Sequence, residues 1–185
     1  MATLIQRAIG AAKLNVATFE EVEADRGATG QAMLVVVLSA VAAGIGSWGE
    51  PGNGFVKMTF ISLVAWFVWA FVTWLVGTKI LPGPETQADV GQLLRTIGFA
   101  ASPGILRVFA GVRGLGPIIA AVAGVWMLVA MVVAVRQALD YRSTGRAVAV
   151  CVVGFLFYAA VLLALGLVLG VGVWMLGSAA RQVTS

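Results

Sequence analysis

Five long segments of this chain are almost free of charged residues, and they constrain its fold more than any other feature. Each is about as long as the roughly 20 residues that a helix needs to cross the hydrocarbon core of a membrane, and the longer ones must tilt or protrude. They do not alternate polar and apolar residues as the strands of a membrane β-barrel do. We therefore predict an all-α, polytopic membrane helix bundle. The predicted spans run from about Ala28 to Trp48, Phe55 to Leu81, Val90 to Ala110, Leu115 to Leu139 and Ala147 to Leu176.

The composition agrees with a chain that lies in lipid. Hydrophobic residues make up 61% of the sequence and charged residues 11%, whereas a soluble domain carries about a quarter charged residues. The net charge of +4 is small and the basic residues are dispersed, so we expect no nucleic acid as a partner. The sequence has no histidine and one cysteine, Cys151, and it contains no nucleophile–base pair, metal-ligand set or phosphate-binding loop. We therefore expect no enzymatic activity, no metal site and no cofactor.

Residues 1–27 precede the five-span domain of residues 28–185 and have the period of an amphipathic helix. Ile5 and Ile9 share one face of this helix, and Arg7 falls elsewhere. The pattern suits a helix in the membrane interface with its basic residues toward the lipid headgroups, or one that packs on the protein's own cytoplasmic face. The letters TFEE fit a capping box that restarts the helix. Polar residues interrupt the apolar core that a cleaved signal peptide needs.

Lysine and arginine residues near the span ends predict the orientation of the protein. If the amino terminus lies in the cytoplasm, eight basic residues fall inside and four outside. We therefore expect a multi-pass protein of the bacterial cytoplasmic (inner) membrane, with its amino terminus inside and its carboxyl terminus outside. The inside set is Arg7, Lys13, Arg26, Lys79, Arg95, Arg136, Arg142 and Arg146, and the outside set is Lys57, Arg107, Arg113 and Arg181.

The polar stretch VRQALDYRSTGRA, between the fourth and fifth spans, becomes a cytoplasmic loop in this orientation. Topology alone explains its charges, and a docking surface for a cytoplasmic partner is the alternative. Arg136 and Asp140 are four residues apart, a spacing at which side chains pair on one helix face. The candidate docking residues are Arg136, Asp140, Arg142 and Arg146.

The third span is unusual because two arginines bracket its short apolar middle. Arg95 and Arg107 are roughly 18 Å apart along a straight helix, so we expect each to extend toward its own membrane interface. Between them, Ser102, Pro103 and Gly104 predict a kink or a local unwinding. Broken helices near charged residues occur at the binding sites of transporters. An ordinary kinked span, shielded from lipid by its neighbours, is the alternative.

The second span carries a group of aromatic residues. Trp66 and Trp69 fall near the middle of the membrane, although tryptophan is commonest at the interfaces. With Trp74 they are candidates for contact with a lipid, a pigment or a quinone. Packing of bulky side chains against small ones is the alternative.

Small residues recur every four positions on three spans, a spacing that lets membrane helices approach closely. The contact they make is either within one chain or with another subunit. The candidate helix-packing residues are Ala40, Gly44, Gly116, Ala120, Gly124, Gly166 and Gly170.

Three stretches of the chain carry a family resemblance. They are TFEEVEADRGATGQAM before the first span, GFAASPGIL in the third, and WMLVAMVVAVRQALDYRSTGRAVAV from the fourth span into the fifth. From about Thr18 onward the chain resembles the Yip family, the Ypt- or Rab-interacting membrane proteins, in its bacterial branch. The resemblance implies five spans and a cytoplasmic amino terminus. The chain lacks the longer cytosolic region and the DLYGP-type motif of the eukaryotic relatives, so Rab binding is not carried over, and no catalytic residue is implied.

The many small residues and the lack of a catalytic set favour a non-enzymatic scaffold or accessory subunit, which packs against other integral membrane proteins and contacts membrane lipids. One alternative is a small transporter or channel that works through the broken third span. Another is a lipid-binding or membrane-shaping protein that uses its amino-terminal helix. The sequence leaves the oligomeric state open.

Overall fold

The structure, a computed structural model, describes residues 2–46, 55–160, 163 and 167. This part of the chain is helical and contains no strand, which confirms the predicted all-α polytopic bundle. The helices are α1 (Leu4–Ala12), α2 (Val16–Ala24), α3 (Ala28–Gly46), α4 (Phe55–Leu75), α5 (Val90–Ala100), α6 (Gly116–Ala138) and α7 (Thr144–Ala160). A π-helical turn, Val76–Ile80, continues α4, and a three-ten helix, Ser102–Gly111, follows α5.

Four of these stretches are long and apolar enough to cross a membrane, and α7 is a shorter apolar helix over its described residues. The remainder of the fifth predicted span, with Gly166 and Gly170, lies outside the described residues, as does Trp48 at the end of the first. The four spans are Ala28–Gly46, Ser62–Ile80, Val90–Gly111 and Gly116–Ala138.

The ends of the spans gather on two sides of the bundle. On one side, α1 and α2 form a helical hairpin that contacts the start of α5 and the end of α6. There the side-chain amide of Gln92 donates to Glu23 (3.1 Å), and that of Gln137 donates to Glu20 (3.2 Å). We call this the hairpin side. On the opposite side, the end of α3 lies against the three-ten helix.

Among the described helices, α3 and the third span make the most extensive contact, and glycine makes their close approach possible. A Cβ atom at Gly98 of α5 would lie 2.7 Å from the Cβ of Ala32 on α3, and one at Gly46 would lie 2.0 Å from the carbonyl oxygen of Arg107. Only a residue without a side chain allows the two backbones to approach this closely. The third span is therefore the most buried of the four.

The small residues of α6 that were predicted to pack against another helix are mostly not the residues of α6 that are buried in the bundle. Gly116 is buried against the backbone of Ala110 in the three-ten helix, whereas Ala120 and Gly124 are partly exposed. A packing role for these three residues stays a prediction. The positions of α6 that are buried in the bundle are mostly alanines, namely Ala123, Ala130, Ala134 and Ala138.

The amino-terminal segment is two short helices rather than one. Leu14 has a φ of 60°, in the left-handed region, and Asn15 caps α2 by accepting a hydrogen bond from the backbone N–H of Ala17 (3.0 Å). The predicted capping box at TFEE is wrong, because α2 has already begun at Val16. Capping boxes are formed instead by Thr3 with Gln6 and by Asp89 with Gln92.

The hairpin packs on the bundle through a face that is partly apolar and partly charged. Arg7, which the interfacial alternative directs toward the lipid headgroups, is only 2% exposed, because acidic residues of α2 and its connector attract it inward. Ile5 and Ile9 are 69% and 50% exposed and face outward, while Phe19 is completely buried. The hairpin is thus docked on the protein, with an apolar face left at its surface.

Candidate functional site

A cavity of about 450 Å³ lies between the spans, and it brings together residues that the sequence indicated separately. Trp66 and Trp69 of α4, Arg107 of the three-ten helix, and Ala40 and Gly44 of α3 all line it. Residues of α5, α6 and α7 complete its wall. A mostly apolar cavity with a few convergent polar groups is the usual form of a ligand site, so we take it as the candidate functional site.

The third span breaks at the predicted place, next to this cavity. α5 ends at Ala100, and the chain continues from Ser102 as a three-ten helix. Pro103 has no N–H to donate to the preceding turn, and its ring opposes continuation of the α-helix. The hydroxyl of Ser102 donates to the carbonyl of Phe99 (2.6 Å) and so satisfies an oxygen that the break leaves free. Ser102, Pro103 and Gly104 are all buried.

Arg107 follows the break and carries the charge of the cavity. It is the only charged residue among the described residues that line this space. Its side chain is partly buried, and its guanidinium has no hydrogen-bond or ion-pair partner in the described part of the chain. An arginine that lines a mostly apolar cavity is normally paired, because an uncompensated charge in a low-dielectric environment is costly.

The two tryptophans are held in fixed orientations. The indole N–H of Trp66 donates to the carbonyl of Leu94 (3.1 Å), and that of Trp69 contacts the sulfur of Met131 (3.4 Å). The ring of Trp69 meets that of Tyr158 edge to face, with 6.0 Å between their centroids. Because the polar atom of Trp66 is already hydrogen-bonded, its ring adds an apolar surface to the cavity wall.

Trp74 does not take part in the cavity. Its indole N–H donates to the carbonyl of Ala88 (3.0 Å), and the ammonium group of Lys79 lies 5.9 Å from the ring centroid. It therefore ties the end of α4 to the connector that precedes α5.

Arg95 also lies away from the cavity, on the hairpin side, so the two arginines of the third span do not form one site. Its side chain reaches the end of α2 instead of the protein surface, and its extension toward a membrane interface stays a prediction. Arg95 is 6% exposed, and its Nε donates to the backbone carbonyls of Val22 and Glu23, each at 3.0 Å. These are carbonyls of the last turn of α2, which lack partners within the helix and carry the negative end of its dipole. Arg95 thus binds the hairpin to the third span.

A second ionic group stabilises the hairpin. The guanidinium of Arg7 donates to Glu21 (2.9 Å), Asp25 (2.7 Å) and Gln31 (3.1 Å). This contact holds the pKa of Asp25 below its ordinary value, since the carboxylate is the form that Arg7 and the N–H of Gly27 bind.

Glu23 is the most perturbed acid on the hairpin side. Burial is the largest cause and the nearby carboxylate of Asp140 the next, and together they raise its pKa from 4.5 to about 7 against the opposing effect of Arg95. Sequence inspection did not single out Glu23, because both effects come from residues distant in sequence.

The charged residues of the α6–α7 connector bind to neighbouring segments. Arg136 donates to the carbonyl of Tyr141 and the hydroxyl of Thr144, each at 3.2 Å. Arg142 forms an ion pair with Glu85. The predicted pairing of Arg136 with Asp140 is wrong, because Asp140 lies beyond the end of α6 with a φ of 51°. The fourth candidate, Arg146, donates to the carbonyl of Pro82 (3.1 Å).

Tyr141 joins this connector to the π-helical turn and was not predicted. Its hydroxyl donates to the carbonyls of Gly77 (2.9 Å) and Leu81 (2.6 Å). A π-helical turn shifts the backbone hydrogen bonds by one residue, and the tyrosine binds carbonyl oxygens of that altered turn. A lone tyrosine in a polar connector is a weak signal for such a role.

The described residues are helical, and four stretches are long and apolar enough to cross a membrane. The molecule is therefore a polytopic α-helical membrane protein. In its described residues no group of histidine, cysteine or acidic side chains could hold a metal ion. A family model, that of the Yip1 domain, matches residues 15–166. The chain therefore belongs to the Yip1 family, and the match begins at the residue that caps α2. No curated protein and no solved structure matches the chain significantly.

Proposed function

We propose that this Yip1-family protein is a non-enzymatic accessory or scaffold subunit, which packs against other integral membrane proteins and contacts membrane lipids. The observation that supports this role is a set of exposed charges on the hairpin side, contributed by four separate segments of the chain. We call it the hairpin-side surface. It comprises Glu20, Arg26, Glu85, Asp140 and Arg142.

Hydrogen bonds between segments hold this surface in shape. Gln137 of α6 binds Glu20 of α2 (3.2 Å), and the hydroxyl of Thr86 donates to the carbonyl of Leu139 (2.8 Å). A surface that is ordered before binding loses less conformational entropy when a partner docks. A preformed charged face of this kind favours a protein partner.

The ion pair between Arg142 and Glu85 contributes more to recognition than to folding. The two side chains are 78% and 54% exposed, and exposed pairs stabilise a fold by only ~0–1 kcal/mol. Both charges are therefore available to a partner.

The proposal extends to the orientation and the membrane. The excess of basic residues among the hairpin-side segments supports a cytoplasmic amino terminus and an external carboxyl terminus. The resemblance of GFAASPGIL in the third span to the bacterial branch of the family supports the bacterial inner membrane.

The first test measures the mass of the native particle, extracted gently from its own membrane through a tag on this chain. We expect other integral membrane proteins in the particle. A particle that contains only this chain and lipid contradicts the proposal.

A charge-reversed variant tests whether the partner binds at the hairpin-side surface. Glu85→Arg combined with Arg142→Glu restores the internal ion pair but inverts both exposed charges, so the fold is kept while the partner is lost. Arg113→Glu, at an exposed position on the opposite side, is the matched control and should retain the partner. Equal partner content in both variants would show that this surface is not the contact.

Transport through the broken third span is a second candidate, because the break and the cavity adjoin. Ala101, at the break, and Arg107 both line the cavity, and broken helices border the binding sites of many transporters. Uptake of acetate into proteoliposomes that contain the protein tests this function. Flux that Pro103→Ala and Arg107→Gln both abolish would support it, and the absence of flux in the unaltered protein would exclude acetate transport.

A further inference from the structure

The charge of the cavity determines what kind of group it can bind. Among the described residues that line it, Arg107 is the only charged one and none is acidic, and the guanidinium has no partner in the same part of the chain. A cation is repelled from such a space, and a neutral solute leaves the guanidinium without a counter-charge. A carboxylate or phosphate group supplies both the charge and the paired hydrogen-bond acceptors that arginine binds best.

The rest of the cavity determines what the anionic group is attached to. Beyond Arg107 the wall is formed by the ring of Trp66, the side chain of Ile97 and the thioethers of Met127 and Met131. The hydroxyl-bearing residues Ser39, Ser62 and Tyr158 also line the cavity, but most of its wall is apolar, so a sugar or a nucleotide would lose more hydrogen bonds to water than the wall replaces. Flexible methionine side chains adapt to an alkyl chain.

We propose that the cavity binds a single-chain anionic amphiphile, with its carboxylate or phosphate on Arg107 and its alkyl chain between α4, α5 and α6. The volume of about 450 Å³ lies within the roughly 300–1,000 Å³ of small-ligand pockets. Arg107 lies near the end of the third span opposite the hairpin, so the headgroup points to that side of the membrane. This site is independent of the hairpin-side surface and of any protein partner.

Small residues on the wall create the space. Ala40 of α3, Ala65 of α4 and Ala101 at the break all border the cavity. Larger side chains at Ala40 or Ala65 would occupy the volume that the alkyl chain needs. Variants at these two positions therefore test whether the ligand lies in the cavity without changing the charge of Arg107.

The experiment uses the full chain in lipid nanodiscs and measures quenching of tryptophan fluorescence by dibrominated stearate. Its methyl ester is the matched neutral probe, since it enters the lipid equally but carries no charge. Lysophosphatidate, as a competitor, distinguishes a phosphate headgroup from a carboxylate, and inorganic phosphate tests whether a free anion suffices. Trp69→Phe shows how much of the signal comes from the cavity wall.

We expect saturable quenching by the acid beyond that by the ester. Arg107→Gln should weaken acid binding about tenfold or more, the usual effect of losing a charge-assisted hydrogen bond, and leave the ester unchanged. Arg107→Lys should restore part of the binding. Ala65→Phe and Ala40→Leu should abolish it, whereas Arg113→Gln, which removes an exposed arginine outside the cavity, should not.

Three results would overturn the proposal. Equal quenching by acid and ester in the unaltered protein removes the charged site, and this comparison does not depend on any variant folding. Unchanged acid binding in Arg107→Gln, or in both cavity-filling variants, places the ligand elsewhere. Full competition by inorganic phosphate shows that the alkyl chain contributes nothing.

Discussion

Arg95 of α5 donates hydrogen bonds to the backbone carbonyl of Glu23, 72 residues earlier in the chain, and so ties the end of α2 to the third span. The contact joins the guanidinium of Arg95 to backbone carbonyl oxygens at the end of α2, which have no partner within that helix. It explains why an arginine that lies in an apolar span is buried without an acidic partner.

Replacing Arg95 should release the hairpin. Arg95→Gln removes the charge that binds the end of α2 and leaves buried carbonyls unsatisfied, at a cost of ~2–3 kcal/mol. We expect faster amide hydrogen exchange in α1 and α2, measured by mass spectrometry, with α6 little changed. Arg107→Gln is the matched control, because it removes the other arginine of the same span without touching the hairpin. Equal exchange in the two variants would contradict this role for Arg95.

The pH dependence of hairpin docking should follow Glu23. Its pKa rises from 4.5 to about 7 in the folded protein, so the docked hairpin keeps its proton to higher pH than the released one. Docking is then strongest below the ordinary pKa, weakens as the pH rises toward 7, and levels off above it. The groups that face Glu23 are Asp140, Arg95, Glu20 and Asp89.

Hydrogen exchange of α2 amides, recorded as a function of pH after correction for intrinsic rates, measures this dependence. Glu23→Gln should flatten the curve, since glutamine cannot titrate. Glu85→Gln, at an exposed acid of the same side, should leave the curve as it is. A slope that persists in Glu23→Gln would assign the titration to another group.

The hydroxyl of Tyr141 should stabilise the end of α4. Tyr141→Phe loses the hydrogen bonds to Gly77 and Leu81, and we expect a loss of ~1–2 kcal/mol in the free energy of unfolding. Tyr158→Phe is the control, because the hydroxyl of Tyr158 has no hydrogen-bond partner within the described ranges. Thermal unfolding in detergent compares the two. A larger effect of Tyr158→Phe would show that the π-helical turn does not need Tyr141.

Two glycines should respond to alanine with opposite signs. At Gly98 a Cβ would lie 2.7 Å from that of Ala32, so Gly98→Ala should separate α5 from α3 and cost ~1–3 kcal/mol. At Gly30, in the same bundle, no atom lies within 4 Å of the added Cβ, and Gly30→Ala should stabilise α3 by up to ~1 kcal/mol. Unfolding midpoints in mixed micelles test both. A stabilised Gly98→Ala variant would show that the two helices are not in close contact.

The apolar segments and the break in the third span could be predicted from the sequence alone. Lipid offers no hydrogen bonds to the backbone, so a long apolar segment has to be helical wherever it crosses the membrane. The break is equally local, because Pro103 lacks the N–H that a continuous helix requires. The same local logic misplaced the start of α2, where TFEE fits a capping box but Asn15 provides the cap.

The cavity and the docking of the hairpin were decided by the tertiary structure. The direction in which Arg7 or Arg95 points depends on acids and carbonyls that come close only when the chain has folded, and an amphipathic period does not show which face a neighbour will cover. Trp66, Ala40 and Arg107 line one space because three spans converge there. In lipid, a helix gains little from burying one apolar side chain instead of another, so close packing and long-range hydrogen bonds select the arrangement.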